Sequence, residues 1–496
     1  SDFPLSSLDA VLTAFPGAHL RGELAEEVVT RARAAADAET VLQVQVAEAL
    51  GRYEEIRVAC ALYDHQEAGV RWLIEHRSGI LADDMGLGKA LADGTRVLTP
   101  AGWVNIENLV VGDEVIAPDG GPTTVTGVYP QGIRPLFRVT FSDGASIRCD
   151  ADHLWQVQSA VQRKRGTQPR VLTTQAMHDE GLVDTAGNRR FFIPITAPVQ
   201  FAASAMPCLD PYLLGAILGD AYIRAQECSL TNADAELWES VARLLPDGVT
   251  ISGHGLSRRL VSARRGAPNM LLRELARLGV TGKRAHEKRL PDVYLYGPIA
   301  TRFSVLCGLM DTDGTVSKDG VLQFTSSSPG LADDVTSLVR SLGGVVRRTT
   351  RIPTFSHRGE RRRGRRAYTL TLALPDAFAV PFRLTRKAIR ARQRVKYSPA
   401  RSIAKIEPEG EAAATCIAVD HASRLFVADE FIVTHNTRQA LVAGRALGHR
   451  IIVVAPAGLR INWLREAEMV DATIEFYSWA KVPEPPECDF TLIADE

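Results

Sequence analysis

A phosphate-binding loop needs its lysine and its hydroxyl residue side by side, and here 347 residues separate them. Residues Ile80-Leu81-Ala82-Asp83-Asp84-Met85-Gly86-Leu87-Gly88-Lys89 read as a strand running into such a loop, which stops at its lysine. Ala90 follows, and the missing hydroxyl arrives as Thr437, opening the helical run Arg438-Gln439-Ala440-Leu441-Val442. With 90–436 removed the text becomes DDMGLGKTRQALVAG, an uninterrupted loop. Backbone N–H groups of such a loop surround phosphate only when the nest is continuous. The interruption therefore divides the chain into an insert, 90–436, and flanks of 149 residues in all.

A chain of 496 residues exceeds a single core and implies about three domains. Basic and acidic residues balance at 58 each, so net charge selects no partner, although local clusters can. Seven cysteines without a CxxC pair exclude a disulfide framework or a cysteine-rich zinc site. No charged-then-apolar leader and no apolar run near the ~18 residues of a membrane span is visible, so the expectation is cytoplasmic, without membrane contact.

Pattern separates five segments. Residues 1–89 read as mostly helical and ending in the loop; 90–200 as short alternating strands with Asp-Gly and Gly-Gly turns; 207–397 as mixed helix and strand with a weak internal duplication. Residues 398–436 return to strands, and 437–496 read helix, strand (Ile451–Val454), loop, helix, strand (Phe490–Ile493), an order suited to a parallel α/β sheet.

The flanks resemble a superfamily 2 helicase of the Swi/Snf type. Asp83 stands where the first glycine of the strict loop pattern belongs, but DDMGLGKT is that family's motif I. Leu62-Tyr63-Asp64-His65-Gln66 resembles its adenine-reading Q motif, Ala455-Pro456-Ala457 with Asn462, Trp463 and Glu466 its motif Ia region, and Ile493-Ala494-Asp495-Glu496 the start of motif II. The resemblance implies part of a RecA-like α/β lobe whose spliced form binds ATP and Mg²⁺. Gln66, Gly86, Gly88 and Lys89 would hold nucleotide, Thr437 and Asp495 the Mg²⁺, and Glu496 the attacking water.

The insert resembles an intein, a self-excising element, with an all-β horseshoe splicing domain of the Hedgehog/intein type. Leu91 to Pro100 resembles the family's first block, Cys149-Asp150-Ala151-Asp152-His153 its second with Asp150 in place of the usual threonine, and Phe426 to Asn436 the last blocks. Splicing takes no cofactor. A side chain opens the upstream bond, His153 assists by protonating the departing amine, and Asn436 closes on its own carbonyl with help from His435. Thr437 carries the upstream fragment beforehand, so it would serve both insert and host.

Most inteins begin with Cys or Ser, whereas Ala90 has no nucleophile. Either a cysteine has been replaced to trap the precursor, or the nucleophile lies elsewhere. Trp155, Cys416 and Thr434 match the set found in class 3 inteins, whose internal cysteine attacks the Lys89–Ala90 junction directly; the set favours that reading. A lone strand cysteine is ordinarily a small buried apolar residue and a lone tryptophan ordinarily core. The joint occurrence with Ala90 is what gives them weight.

Between the splicing halves, Leu213–Ala221 and Leu306–Gly314 both resemble the helix of LAGLIDADG homing endonucleases. The resemblance implies a nested α+β pseudo-dimer, acting as a monomer on double-stranded DNA. Asp220 and Asp313 would hold Mg²⁺, and Lys288 would be the catalytic lysine, with Lys387 its weaker counterpart. Ala221 replaces the glycine ending the first motif. The arginine run 358–366 and the basic stretch 383–396 suit phosphate contact. Two other readings remain: an ATP-dependent DNA translocase with a permanent, non-splicing DNA-binding insertion, and a DNA-binding scaffold whose activities have decayed.

Overall fold

The computed structural model describes residues 90–494, except 168, 203–207, 358–359, 393–398, 422, 424, 435–449, 455–472 and 478–489. Expectations for 1–89, and for His435, Asn436, Thr437, Asp495 and Glu496, lie outside the described residues. The chain divides into two compact units, 84–437 and 1–83 with 438–496.

In the larger unit two strands of unusual length, Pro122–Phe141 and Arg401–Val419, pair antiparallel over almost their whole extent with several register shifts. Such irregularities bend and twist a long ribbon. Side chains on Pro122–Val128 alternate exposed and buried, which marks a strand with one wet face. The insert's beginning meets its end twice. Leu91 pairs with Thr415 and with Cys149 on either side, and Val97 pairs with Ala428, whose strand Phe426–Ala428 pairs with Ile432–Thr434. The core here gathers Leu91, Val97, Val139, Phe141, Ile147, Trp155, Ile417, Phe426 and Ile432. The expectation of β structure over 90–200 is met with additions: short helices at Ala160–Arg165 and Thr174–Glu180, each with a side-chain N-cap, Ser159 and Thr173.

The interior segment is built twice over. The first motif helix, Pro211–Asp220, is apolar and buried along most of its length; the second, Ile299–Thr312, is buried from Val305 to Asp311 and also encloses Arg302; each leads into a four-stranded antiparallel sheet. The first sheet runs through Ala221–Arg224, Glu227–Thr231, Ser257–Ser262 and Val249–Ser252; the second through Gly314–Val316, Leu322–Ser326, Ala367–Ala373 and Val345–Arg351. One continuous core covers both halves.

In the smaller unit the predicted strands at 450–454 and 490–494 are present and pair in parallel. A third strand, Ile474–Tyr477, pairs in parallel on the other side of Arg450–Val454. It is only four residues long, too short for a periodicity reading to separate from loop.

Candidate splicing and DNA-cleavage sites

Of the residues expected to act in splicing, the described ones, Cys416, His153, Trp155 and Thr434, lie on or beside the sheet that joins the insert's ends. Leu91 stands opposite Cys149 on one side and Thr415 on the other, so continuing both antiparallel registers by one residue sets Ala90 between Asp150 and Cys416. Successive side chains alternate faces, hence these three share the face opposite Leu91. The upstream junction enters this row buried: Ala90 is fully covered and Cys416 nearly so. The Ala90 amide, which is the nitrogen of the Lys89–Ala90 bond, donates to Asp150 Oδ2 at 3.0 Å, and the Asp150 amide donates to the Ala90 carbonyl at 3.0 Å.

His153 follows on the turn after Asp150. Its ring lies edge to face with Trp155, centroids 5.1 Å apart, and its Nε2 is hydrogen-bonded to Thr434 Oγ1, the residue just before His435-Asn436. The Trp155 indole N–H donates to Thr174 Oγ1 at 3.0 Å, and Thr174 donates back to the His153 carbonyl at 3.2 Å. Thr174, absent from the sequence reading, thus ties the tryptophan to the histidine's own backbone. A helix N-terminal threonine carries no distinguishing sequence signal. Trp155 itself packs on Phe141, so its part is to hold the His153 ring in place.

The acceptor facing the Ala90 N–H is the Asp150 carboxylate, whereas His153 Nε2 is joined to the strand leading to the downstream junction. Burial first, and the neighbouring Asp152 charge, push the Asp150 carboxyl up; the Ala90 amide, Arg134 and the His153 amide pull it down, leaving it raised to about 7.

The two motif helices meet through glycines. A Cβ on Gly215 would stand 2.3 Å from the Val305 carbonyl oxygen, and one on Gly308 2.2 Å from that of Tyr212, so only hydrogen fits at either place. A Cβ on Gly219 would strike Thr312 at 2.0 Å. This close crossing brings the helix ends together, near enough for the Asp220 charge to act on Asp313. Burial first, then the Asp220 charge, push Asp313 up to about 6 despite Lys288 and Lys387 nearby. Asp220 is also raised, chiefly by burial, and accepts from the Asn232 amide at 2.7 Å.

Lys288 and Lys387 occupy equivalent places. Lys288 Nζ donates to the carbonyls of Leu218, Gly219 and Ala221; Lys387 Nζ donates to those of Met310, Asp311 and Gly314. Both ammonium groups lie buried at the negative end of a motif helix, which suits a cation. Lys387, the weaker candidate by sequence, shares two of the three contacts: Asp311 and Gly314 correspond to Leu218 and Ala221, whereas the third carbonyl is Met310 in place of the counterpart of Gly219. Asp311 does not face this pair of acids. Its carboxylate accepts from the Tyr212 hydroxyl and the amides of Arg383 and Leu384, which fastens the second basic segment to the motif helix. Two carboxylates are the whole acidic set here, for no group of three or more His, Cys, Asp or Glu able to hold a metal occurs among the described residues.

The open sheet faces are basic. The register aligns Tyr222, Ser229 and Arg259 across one sheet, and Thr315, Gln323, Thr371 and Arg347 across the other. Arg224, Arg347 and Arg351 are exposed and Arg259 lies among them, and Arg361, Arg362 and Arg363 belong to the hairpin Thr354–His357 and Glu360–Arg363. The sequence reading found the arginine run but not the sheet arginines, which are dispersed in sequence and converge only through strand pairing. In the basic stretch, Lys387 is buried, so helix Thr385–Arg392 is not a uniform cationic surface.

Residues 300–372 match the LAGLIDADG-like domain model, and this range contains the second motif with Asp313. Over 392 residues the chain is 31% identical to the replicative DNA helicase DnaB of Mycobacterium intracellulare, covering 73% of this chain and 61% of that protein. It is 40% identical over 83 residues to the DnaB of Mycobacterium leprae, 16% of this chain and 14% of that one. The longer match exceeds the 149 flanking residues and so runs largely through 90–436. The chain spans less than two thirds of both relatives. Among solved structures it is similar to the Msm DnaB1 intein splicing domain bound with zinc, at 35% identity over 18% of this chain and 63% of that one, TM-score 0.15. It is also similar to the MchDnaB-1 intein, at 32% identity over 21% and 66%, TM-score 0.16. Those TM-scores are too low to carry a fold argument.

Proposed function

We propose that residues 90–436 are an intein carrying a LAGLIDADG homing endonuclease, which excises itself and joins 1–89 to 437–496 of a helicase-type host. One observation carries the reading: the insert's first strand lies hydrogen-bonded between Cys149 and Thr415, and its last strand reaches His153 through Thr434. An element that must join its own flanks needs its two ends in one place and within reach of groups that can act on both junctions, as Asp150 and Cys416 stand at Ala90 and His153 at Thr434.

The chemistry follows the class 3 order. Cys416 Sγ attacks the Lys89 carbonyl carbon across the row it shares with Ala90, giving a thioester at Cys416. The fragment passes to the Thr437 hydroxyl, Asn436 closes on its own carbonyl, and the ester rearranges to an amide. Trp155 and Thr174 hold the His153 ring, whose bond to Thr434 positions the downstream strand. Cleavage and ligation move protons only between groups of the chain, so no cofactor is consumed.

For the endonuclease, the paired raised carboxylates fit a divalent cation, since a positive ion would relieve the repulsion that raises Asp313. Asp220 and Asp313 would hold Mg²⁺ together with phosphate oxygens and water; such an ion stabilises charge on phosphate oxygens during in-line displacement. Lys288 and Lys387 lock the helix ends carrying the two acids. The exposed sheet arginines and the 354–363 hairpin suit a double-stranded DNA backbone. After splicing, Lys89 and Thr437 become neighbours and complete the ATP–Mg²⁺ loop. The relatives are DnaB helicases, while DDMGLGKT points to a Swi/Snf-type host.

Mass spectrometry of the expressed product tests the reading. Separate species of 347 and 149 residues are expected; an intact 496-residue chain, with no branched species under any condition, would overturn it.

A further inference from the structure

Upstream cleavage has two needs: a nucleophile on the Lys89 carbonyl carbon and a proton for the nitrogen that leaves. The Cys416 thiol answers the first. An amide nitrogen is expelled only as it is protonated, because a free amide anion is far too basic to depart from a neutral intermediate.

The group on that nitrogen is Asp150. Its Oδ2 lies 3.0 Å from the Ala90 amide nitrogen, in a buried contact, and the carboxylate replaces the strand carbonyl that would otherwise receive this N–H. The side chain is 4% exposed, and the Ala90 amide, the His153 amide and the Arg134 charge are the groups that meet it. Three elements surround it: the turn with Asp152 and His153, strand Pro122–Phe141 with Arg134, and strand Arg401–Val419 with Cys416. The geometry points to Asp150 as the catalytic acid that protonates the departing Ala90 amine. This rests on the splicing reading of residues 90–436.

The step balances. The S–H bond of Cys416 breaks and its sulfur bonds the Lys89 carbonyl carbon. The C–N bond then breaks, its electron pair staying on the Ala90 nitrogen, which takes the Asp150 proton. The proton released by the thiol restores the Asp150 carboxyl, so thiol plus amide becomes thioester plus amine with no outside acid. A carboxyl raised to about 7 can give its proton at neutral pH and regain it, where an ordinary aspartate would already be ionised. The threonine usual at this position could accept the N–H but could not supply a proton.

The test uses the full chain with Asn436→Ala, so that the thioester accumulates, and follows hydroxylamine release of fragment 1–89 against pH. Release from this parent and none after Cys416→Ala establishes the splicing reading; no release from the parent overturns that reading and this proposal with it. In the releasing parent, Asp150→Asn and Asp150→Thr are expected to slow thioester formation by about 100-fold at pH 7. Both should also lose the fall in rate that the parent shows above pH 7, once Asp150 ionises. Restoration by Asp150→Thr to within a few-fold of the parent would mean that hydrogen bonding alone suffices, and would overturn the proposal. If either variant fails to fold, the parent's own profile decides: a rate climbing with thiolate through pH 9, without a falling limb, overturns it.

Discussion

At the scale of single residues, function here depends on which neighbour each titratable group meets. Cys416 is buried beside the junction, and Cys416→Ala should abolish cleavage at Lys89–Ala90 and ligation while leaving the fold intact. If Ala90 instead replaces a lost cysteine, Ala90→Cys should splice fully even with Cys416→Ala; gel analysis of that double variant separates the two. Asp313 gives a pH signature. Its folded pKa is raised above the unfolded value, so the stability it contributes is complete below about pH 4 and is lost as pH rises through about 6. Asp313→Asn should therefore melt higher than the parent at pH 8, by about 2 kcal/mol without divalent ion, and show no advantage at pH 4. Equal stability at pH 8 would contradict the buried, repelled carboxylate. The same variant, like Asp220→Asn, should lose Mg²⁺-dependent cutting of the uninterrupted host gene and retain splicing, since neither acid touches the row of Asp150, Ala90 and Cys416.

At the scale of elements, the crossing of the two motif helices is set by the absence of side chains. Gly308→Val would force a carbon into the Tyr212 carbonyl, and nothing there is flexible enough to yield. Overpacking of that kind costs about 3 kcal/mol, and DNA cleavage should fall with it because Asp220 and Asp313 separate. A calorimetric scan and a cleavage assay on the variant check both. Much of this was legible in the sequence, because small residues recur at helical spacing in both motifs. What was not legible is the equivalence of Lys288 and Lys387. The segments around them, KRLP and RLTRK, share little, and their likeness exists only as carbonyl contacts at two helix ends.

At the scale of the 84–437 unit, the interior segment shares buried charge with the β framework around it. Asp143, on a turn of the outer β framework, accepts from Arg401 at 2.8 Å and from Arg340 of helix Pro329–Ser341 in the interior segment at 3.1 Å. Burial pushes Asp143 up, but Arg401 and then Arg340 outweigh it and hold it below the usual carboxylate range. Arg401 also donates to the carbonyls of Phe431 and Glu430, two non-glycine residues with φ of 61° and 55°, just before the strand that ends at Thr434. Left-handed backbone at such residues is strained and persists where contacts enforce it. Arg340→Ala should thus destabilise the unit by about 3 kcal/mol, and slow downstream cleavage although no splicing residue is touched. Undisturbed melting and splicing would show the charge cluster to be incidental. Because Asp143 has a depressed pKa, its contribution is present above the unfolded value near 4 and disappears as pH falls through the lower folded value. For the host, nucleotide binding should be absent in an Asn436→Ala precursor and appear after splicing, because the phosphate nest is incomplete while 347 residues part Lys89 from Thr437. Calorimetric titration of both forms with ATP and Mg²⁺ checks this.

Sequence by itself determined the partition. A phosphate loop split between Lys89 and Thr437, His435-Asn436 at the downstream edge, and two motif helices ending in aspartate are local patterns, readable because neighbours in sequence carry them. Alternation and Gly-turn spacing likewise announced the β character of the splicing part. Tertiary structure alone decided which residues share a site. Asp150, read from sequence only as a departure from threonine, was placed on the Ala90 nitrogen because strand pairing sets 90, 150 and 416 in one row. Thr174, Arg340 and the sheet arginines were brought to their partners in the same way. The physical reason is common to all: hydrogen-bond register and close packing join residues tens to hundreds of positions apart, and no local pattern encodes which partner a strand will meet.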